Sequence, residues 1–268
     1  MKDLRIAAVI CNSPVNNTEN NLESMTRWVQ LSKKENAAIV CFPEMNVTGY
    51  SSHIDIKSVA EPIPGPSTRY ILSLAETENI VILAGIAERG ANNRIFASHI
   101  VAAPNGLVGV YRKLHIAPPE QNIFSPGNRV PLFETHGIKF GIQLCYDAHF
   151  PELSTRMAIK GADLIFLPHA SPRGTANDKY RSWMRHLPAR AYDNSLFIVA
   201  CNQVGNNRKG LNFPGIALLI NPSGKVIKKS VANDESLMVA DLAAKDLHRV
   251  RHHKMRYFLP HRRADVYT

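Results

Sequence analysis

Apolar residues in this chain come in short dense runs, separated by segments whose apolar positions recur at helical spacing. Leu4 to Ile10 (Leu-Arg-Ile-Ala-Ala-Val-Ile) is such a run and predicts a buried strand. Asn17 to Glu35 places Leu22, Met25 and Val29 on one face, with Asn or Thr as cap, and predicts a helix. Ala37 to Cys41 predicts a second buried strand, which closes on Phe-Pro-Glu44. A loop rich in Gly, Ser and Pro runs from Met45 to Pro66; a helix over Ser67 to Glu78 and a strand over Ile80 to Ile86 come next. Two strands, Arg94 to Ala103 and Leu107 to Tyr111, flank Pro104-Asn-Gly106, whose turn chemistry predicts a hairpin. Arg112-Lys113-Leu-His-Ile then opens a long irregular loop to Arg129.

The second half repeats the style. A strand is expected over Ile138 to Leu144, with Gly141 letting a neighbour come close. A helix opens at Pro151 and runs to Lys160, followed by a strand over Asp163 to Leu167 and a loop over Pro168 to Thr175. A helix over Asp178 to Asp193 carries Pro188 as a kink. Strands over Ser195 to Cys201, Gly215 to Ile220 and Leu237 to Asp241 complete the pattern, with Asn221-Pro-Ser-Gly224 as a turn. Strands alternate with helices, and hairpins interrupt them. The expected architecture is α/β: two mixed sheets packed face to face with helices outside. No internal repeat and no low-complexity linker divides the 268 residues, so one domain is expected, ending in a basic tail from about residue 245.

Composition narrows the classes without naming one. The chain is 45% hydrophobic and 20% charged, ordinary for a globular protein, and no apolar run approaches a membrane span. Met1-Lys-Asp-Leu-Arg passes straight into a strand, so no leader segment is expected. Cys11, Cys41, Cys145 and Cys201 are far apart and form no CxxC pair, which points to a reduced cytoplasm and away from zinc or disulfides. The net charge of +10 is dispersed, apart from Arg249 to Arg256 and His261 to Arg263. No aromatic-basic nucleic-acid module accompanies it, so the expected partners include neither nucleic acid nor membrane.

One stretch stands apart. After the strand ending at Leu144, Cys145-Tyr-Asp-Ala-His-Phe-Pro-Glu breaks the ladder and starts a helix, so Cys145 sits at a strand-to-helix elbow. Backbone N–H groups and the helix dipole there can lower a thiol pKa and hold an oxyanion. Glu44 and Lys113 also stand just after apolar strands, at the edge where sites form in α/β sheets. Singly, a small apolar cysteine, a loop carboxylate and a surface lysine are ordinary. Together they make a nucleophile, a base and an oxyanion stabiliser.

Four motifs, in order and spanning nearly the whole chain, resemble those of the nitrilase superfamily of carbon–nitrogen hydrolases. They are Cys-Phe-Pro-Glu44-Met-Asn-Val-Thr-Gly-Tyr50, Tyr-Arg-Lys113-Leu-His, Glu120-x-x-x-Phe-x-x-Gly127 and Cys145-Tyr-Asp-x-x-Phe-Pro-Glu. Ala189-Arg-Ala-Tyr-Asp-Asn194 and Cys-Asn202-Gln-Val-Gly205 extend the match more weakly. The resemblance implies an α-β-β-α sandwich, paired into a homodimer or larger homo-oligomer. It also implies a catalytic Glu44, Lys113 and Cys145, with Glu120 as a second glutamate beside them.

The residues support that chemistry on their own terms. A free thiol, with a pKa of about 8.5, is mostly protonated at neutral pH, so it needs a base; Glu44 fills that role. Lys113 and the Tyr146 backbone N–H would hold the oxyanion. The scheme needs no metal and no cofactor, and His115, His149 and His169 lack ligand spacing. Tyr50, Tyr146, Asp147, His149, His169 and Arg173 are the candidates for substrate contact, with Asp147 alternatively a helix cap. The Cys-x-Asp start resembles amidase and carbamoylase branches more than nitrilases proper. Ala148 departs from carbamoylases, which carry arginine about there, and Arg173 is the substitute on offer. The expected activity is hydrolysis of a small amide or N-carbamoyl compound. A true nitrilase is the alternative within the fold; a non-catalytic basic interaction protein is the alternative outside catalysis.

Overall fold

A computed structural model describes residues 1–266. The first sheet runs in the order β14-β1-β2-β3-β4-β5 and the second in the order β13-β12-β9-β8-β7-β6, with a small antiparallel pair, β10 (Gly205–Asn206) and β11 (Asn212–Phe213), apart. In the first sheet, β1 (Leu4–Ile10), β2 (Ile39–Cys41) and β3 (Val81–Arg89) are parallel. A meander adds β4 (Ile95–Ala103) and β5 (Gly106–Arg112), and β14 (Ser236–Leu242) closes the other edge beside β1. In the second sheet, β7 (Ile138–Ile142), β8 (Leu164–His169) and β9 (Phe197–Asn202) are parallel. Antiparallel β6 (Phe133–Thr135) flanks them on one side, β12 (Gly215–Ile220) and β13 (Val226–Ala232) on the other.

The strands read as continuous apolar runs because both of their faces are covered. Along β1, Ile6, Ala8 and Ile10 face the core shared with the second sheet, while Ala7 and Val9 face the outer layer. That outer layer is built from Met25 and Val29 of α1 (Thr18–Lys34) and Ile71, Leu74 and Ala75 of α3 (Pro66–Glu78). On the far side, α4 (Pro151–Ile159) and α6 (Leu187–Asn194) pack against each other over the second sheet. Gly141 behaves as its position predicts: a Cβ there would run into Met157 of α4. The two-sheet sandwich with outer helices is therefore as expected.

Several elements differ from expectation. The single helix across Asp178 to Asp193 is two helices, α5 (Ala176–Trp183) and α6. The break falls at His186, which has a non-helical φ of −141°, and Pro188 sits in the first turn of the new helix rather than kinking an old one. The loop Met45 to Pro66 contains a short α2 (Ile56–Val59). A β6–β7 hairpin turns on His136 and Gly137, both at positive φ. The basic tail begins as α7 (Ala244–Arg251), anchored where Arg251 donates to Asp163 Oδ1 at 2.6 Å and to Ala162 O at 2.7 Å. Among the described residues, no helix is long and apolar enough to cross a membrane.

Candidate active site

Topology brings the candidate residues to one rim. β4 reverses and β5 reverses again, so β5 ends at the same edge as β2. Glu44 lies just past β2 and Lys113 just past β5. In the other sheet, Cys145 follows β7, His169 ends β8 and Gln203 follows β9. The two rims are stitched together at Glu44. Its Oε2 accepts from the Ala170 N–H at 3.1 Å, and its backbone carbonyl accepts from Gln203 Nε2 at 2.8 Å. β3 must pass close by, since a Cβ at Gly85 would meet the Met45 backbone.

At the centre is a buried ammonium between two carboxylates. Lys113 Nζ donates to Glu44 Oε1 at 2.9 Å and to Glu120 Oε2 and Oε1 at 2.9 and 3.1 Å. All three residues are essentially sealed from solvent. Glu120 is held in a 3₁₀ turn, and its Oε1 also accepts from the Tyr50 hydroxyl at 2.7 Å, while Oε2 accepts from Ala117 N–H at 3.2 Å. Burial works to lower the Lys113 pKa, but Glu44 and Glu120 outweigh it and keep the ammonium charged. Burial pushes the Glu44 carboxyl up to about 7 against the pull of Lys113, and Glu120 adds to the rise. Such a group is poised to take and return a proton near neutral pH.

Cys145 is half-buried at φ +43°, a left-handed conformation that a β-carbon disfavours. Asp147 holds the elbow in that shape. Fully buried, it accepts from the Leu144 N–H at 3.0 Å and the Tyr111 hydroxyl at 2.7 Å through Oδ2. Its Oδ1 takes the His115 N–H at 2.9 Å and lies 2.8 Å from His115 Nδ1. Burial pushes the Cys145 thiol up to about 12, assisted by Glu44 and Glu120 and opposed by Lys113 and Lys179. The lowering expected at the elbow is thus outweighed by burial, and the thiol is protonated until a base acts on it.

The structure thus gathers Glu44, Lys113, Glu120 and Cys145 and treats the other candidates unevenly. Tyr50 is buried against Glu120 and Phe213. Tyr146 and His149 lie at the rim, their rings 5.6 Å apart, with His149 exposed and close to His186. Asp147 neither reaches the pocket mouth nor caps the helix that opens at Pro151: both of its oxygens are spent on Leu144, Tyr111 and His115, and that helix has no side-chain cap. His169 is buried against Trp183, its Nδ1 2.7 Å from Leu167 O, and burial lowers its pKa to about 3, so it is neutral. Arg173 is exposed on the loop after β8, at φ +75°.

Sequence reasoning missed Tyr111, Gln203 and Lys179. Gln203 stood inside the quoted Cys-Asn202-Gln-Val-Gly205 motif, and Tyr111 opened the quoted Tyr-Arg-Lys113-Leu-His motif. Lys179 of α5 carried no local signal; its Nζ donates to Ser171 Oγ at 2.6 Å across the loop. Among the described residues, no three His, Cys, Asp or Glu side chains come together as a metal-holding group.

The sandwich is the nitrilase fold. It superimposes on an amidase from Nesterenkonia sp. with a TM-score of 0.84 at 22% identity, covering 98% of this chain and 94% of that one. The carbon-nitrogen hydrolase family model matches residues 5–252, and the chain belongs to that family. It is 30% identical over 256 residues to a nitrilase of Pyrococcus abyssi (strain GE5 / Orsay), covering 94% of this chain and 93% of the relative. It is 31% identical over 221 residues to an (R)-stereoselective amidase of a Pseudomonas species, covering 79% and 78% of the two chains.

Proposed function

We propose that this protein hydrolyses a small linear amide or N-carbamoyl compound through a thioester on Cys145. The observation that carries the reading is the sealed Glu44–Lys113–Glu120 row whose charges act on the half-buried Cys145 thiol, with Lys113 2.9 Å from one oxygen of each carboxylate. Family membership and the amidase relative support it.

Glu44 takes the thiol proton as Sγ bonds to the carbonyl carbon, and the C=O electron pair moves onto oxygen. Lys113 and the Tyr146 backbone N–H receive that oxyanion; one such donor is worth roughly 3–4 kcal/mol. The tetrahedral adduct collapses, the C–N bond breaks, and Glu44 returns the proton to the departing nitrogen, leaving a thioester. Water then attacks, again giving its proton to Glu44. The C–S bond breaks, acid departs and the proton goes back to sulfur. Because the thiol stays protonated at rest, base-assisted attack fits the site better than a standing thiolate–cation pair. Glu120 anchors Lys113 and keeps it charged.

The test is Cys145→Ala. The variant should fold with an unchanged melting profile, release no ammonia from amides or ureides, and form no acyl adduct visible by mass spectrometry. Turnover above a few per cent of wild type would remove Cys145 as nucleophile. We also infer self-association from the exposed apolar Ile159, Tyr192, Met255 and Phe258, of which Tyr192 and Phe258 already touch. Sedimentation of a monomer at micromolar concentration would refute that.

A further inference from the structure

We propose that Lys179 receives an anionic group on the acyl side of the substrate, so that the preferred amides and ureides are those whose other end is a carboxylate. This rests on the hydrolase reading above and names its substrate class.

Lys179 lies in the first half of α5, and its Nζ folds back over the loop that follows β8. There it donates to Ser171 Oγ at 2.6 Å and reaches Pro172 O at 3.5 Å. Ser171 adjoins Ala170, whose N–H holds the Glu44 carboxylate, so the loop that receives the ammonium also holds the base. It also stands in the field of the nucleophile: Lys179 and Cys145 each shift the other's ionisation. Arg173, on the same loop, is exposed.

The two cations of the site are answered differently. Lys113 is matched by two carboxylates. Lys179 forms no ion pair among the described residues, and the partners its Nζ meets are a neutral hydroxyl and a neutral carbonyl. It is nevertheless more than half-buried, and burial lowers its pKa. A desolvated ammonium without a counter-charge is costly, and a ligand carboxylate placed there forms a charge-assisted hydrogen bond. The thiol does not supply that counter-charge, because it stays protonated. The rival role is internal: Lys179 offsets the second carboxylate of the Glu44–Glu120 pair and has no contact with substrate.

Succinamate and butyramide separate the two, since they differ by a carboxylate in place of a terminal methyl. kcat/KM for both is measured with wild type, Lys179→Met and Lys179→Arg, and succinamate binding to Cys145→Ala and to Cys145→Ala/Lys179→Met is measured by calorimetry. Wild type should favour succinamate. Lys179→Met should lower the succinamate-to-butyramide ratio by about tenfold to a hundredfold, mainly through KM, and Lys179→Arg should restore most of it. Binding to the Cys145→Ala form should weaken by a similar factor. Equal losses on both amides would assign Lys179 the internal role and overturn the proposal, as would a wild-type preference for butyramide. A protein that turns over neither amide, yet binds succinamate in a Lys179-dependent way, keeps the anion site and refutes the hydrolase reading. One that hydrolyses butyramide with no Lys179-dependent preference does the reverse.

Discussion

Glu120→Gln keeps the shape of the side chain and removes one charge from the centre of the site. Oε1 now accepts from Tyr50 at 2.7 Å and Lys113 at 3.1 Å, while Oε2 accepts from Lys113 at 2.9 Å and Ala117 N–H at 3.2 Å. An amide nitrogen accepts nothing, so one of these donor pairs loses its acceptor whichever way the amide turns. A hydrogen bond to a charged group contributes about 1.5–3 kcal/mol, and Lys113 would be left with Glu44 as its one carboxylate partner. With Lys113 free to drift from the oxyanion, the loss approaches that of one oxyanion donor, about a hundredfold or more in kcat. A second readout has a fixed sign. The Glu120 charge helps hold Glu44 up at about 7 and Cys145 up at about 12, so its removal lowers both. The acid limb of kcat/KM reports ionisation of the free enzyme's base and should move to lower pH than in wild type. Alkylation of Cys145 by iodoacetamide at pH 8 should become faster, even as turnover falls. A thermal melt confirms that the variant is folded. Full kcat, or an acid limb that stays in place or moves up, would refute this account of Glu120.

Glu44→Gln should lower kcat by about 10²–10⁴-fold while leaving Cys145 open to slow alkylation; retained turnover would take the base role from Glu44. It should also flatten stability against pH. A carboxyl raised to about 7 in the fold and ordinary at about 4.3 when unfolded binds extra protons to the native state between those values. Wild-type stability therefore falls as pH rises through that window, a slope the variant should lose in melts from pH 4 to 8. Asp147→Asn orphans buried donors among Leu144, Tyr111 and His115 and should cost about 3 kcal/mol in denaturant titration, with loss of turnover; a change under about 0.5 kcal/mol would mean Asp147 does not hold the elbow. A carboxamide should be hydrolysed with higher kcat/KM than the nitrile bearing the same side group, since a nitrile has no N–H to offer Glu44; parity or the reverse would favour the nitrilase alternative.

The parts of the fold that were legible in sequence were those whose burial is two-sided. β1, β2 and β8 read as dense apolar runs because sheet and helix cover them together, and β7 read as an alternating run that turns apolar. β13 escaped notice because it is an edge strand whose Ile227, Lys228 and Lys229 are exposed, so its pattern is that of a charged loop. α7 read as a tail because only Leu247 and Val250 are buried, among a surplus of basic residues. Glu44, Lys113 and Cys145 were legible because each stands in a motif beside a strand end, and Glu120, in a 3₁₀ turn of the long loop, was legible through its motif alone. Lys179 was not: its place beside Ser171 comes from the fold of α5 back across a loop, and residue type and spacing carry no trace of that.

The divided origin of the site gives the protein a built-in gauge. Glu44 and Lys113 come from one sheet and Cys145 from the other, joined at the rim by bonds from Ala170 and Gln203 to Glu44. Neither half owns a complete set of reacting groups. Under the proposed mechanism, catalytic competence measures the docking of two layers, and slippage of a fraction of an ångström between them would silence the molecule while far-ultraviolet circular dichroism still showed every helix and strand in place.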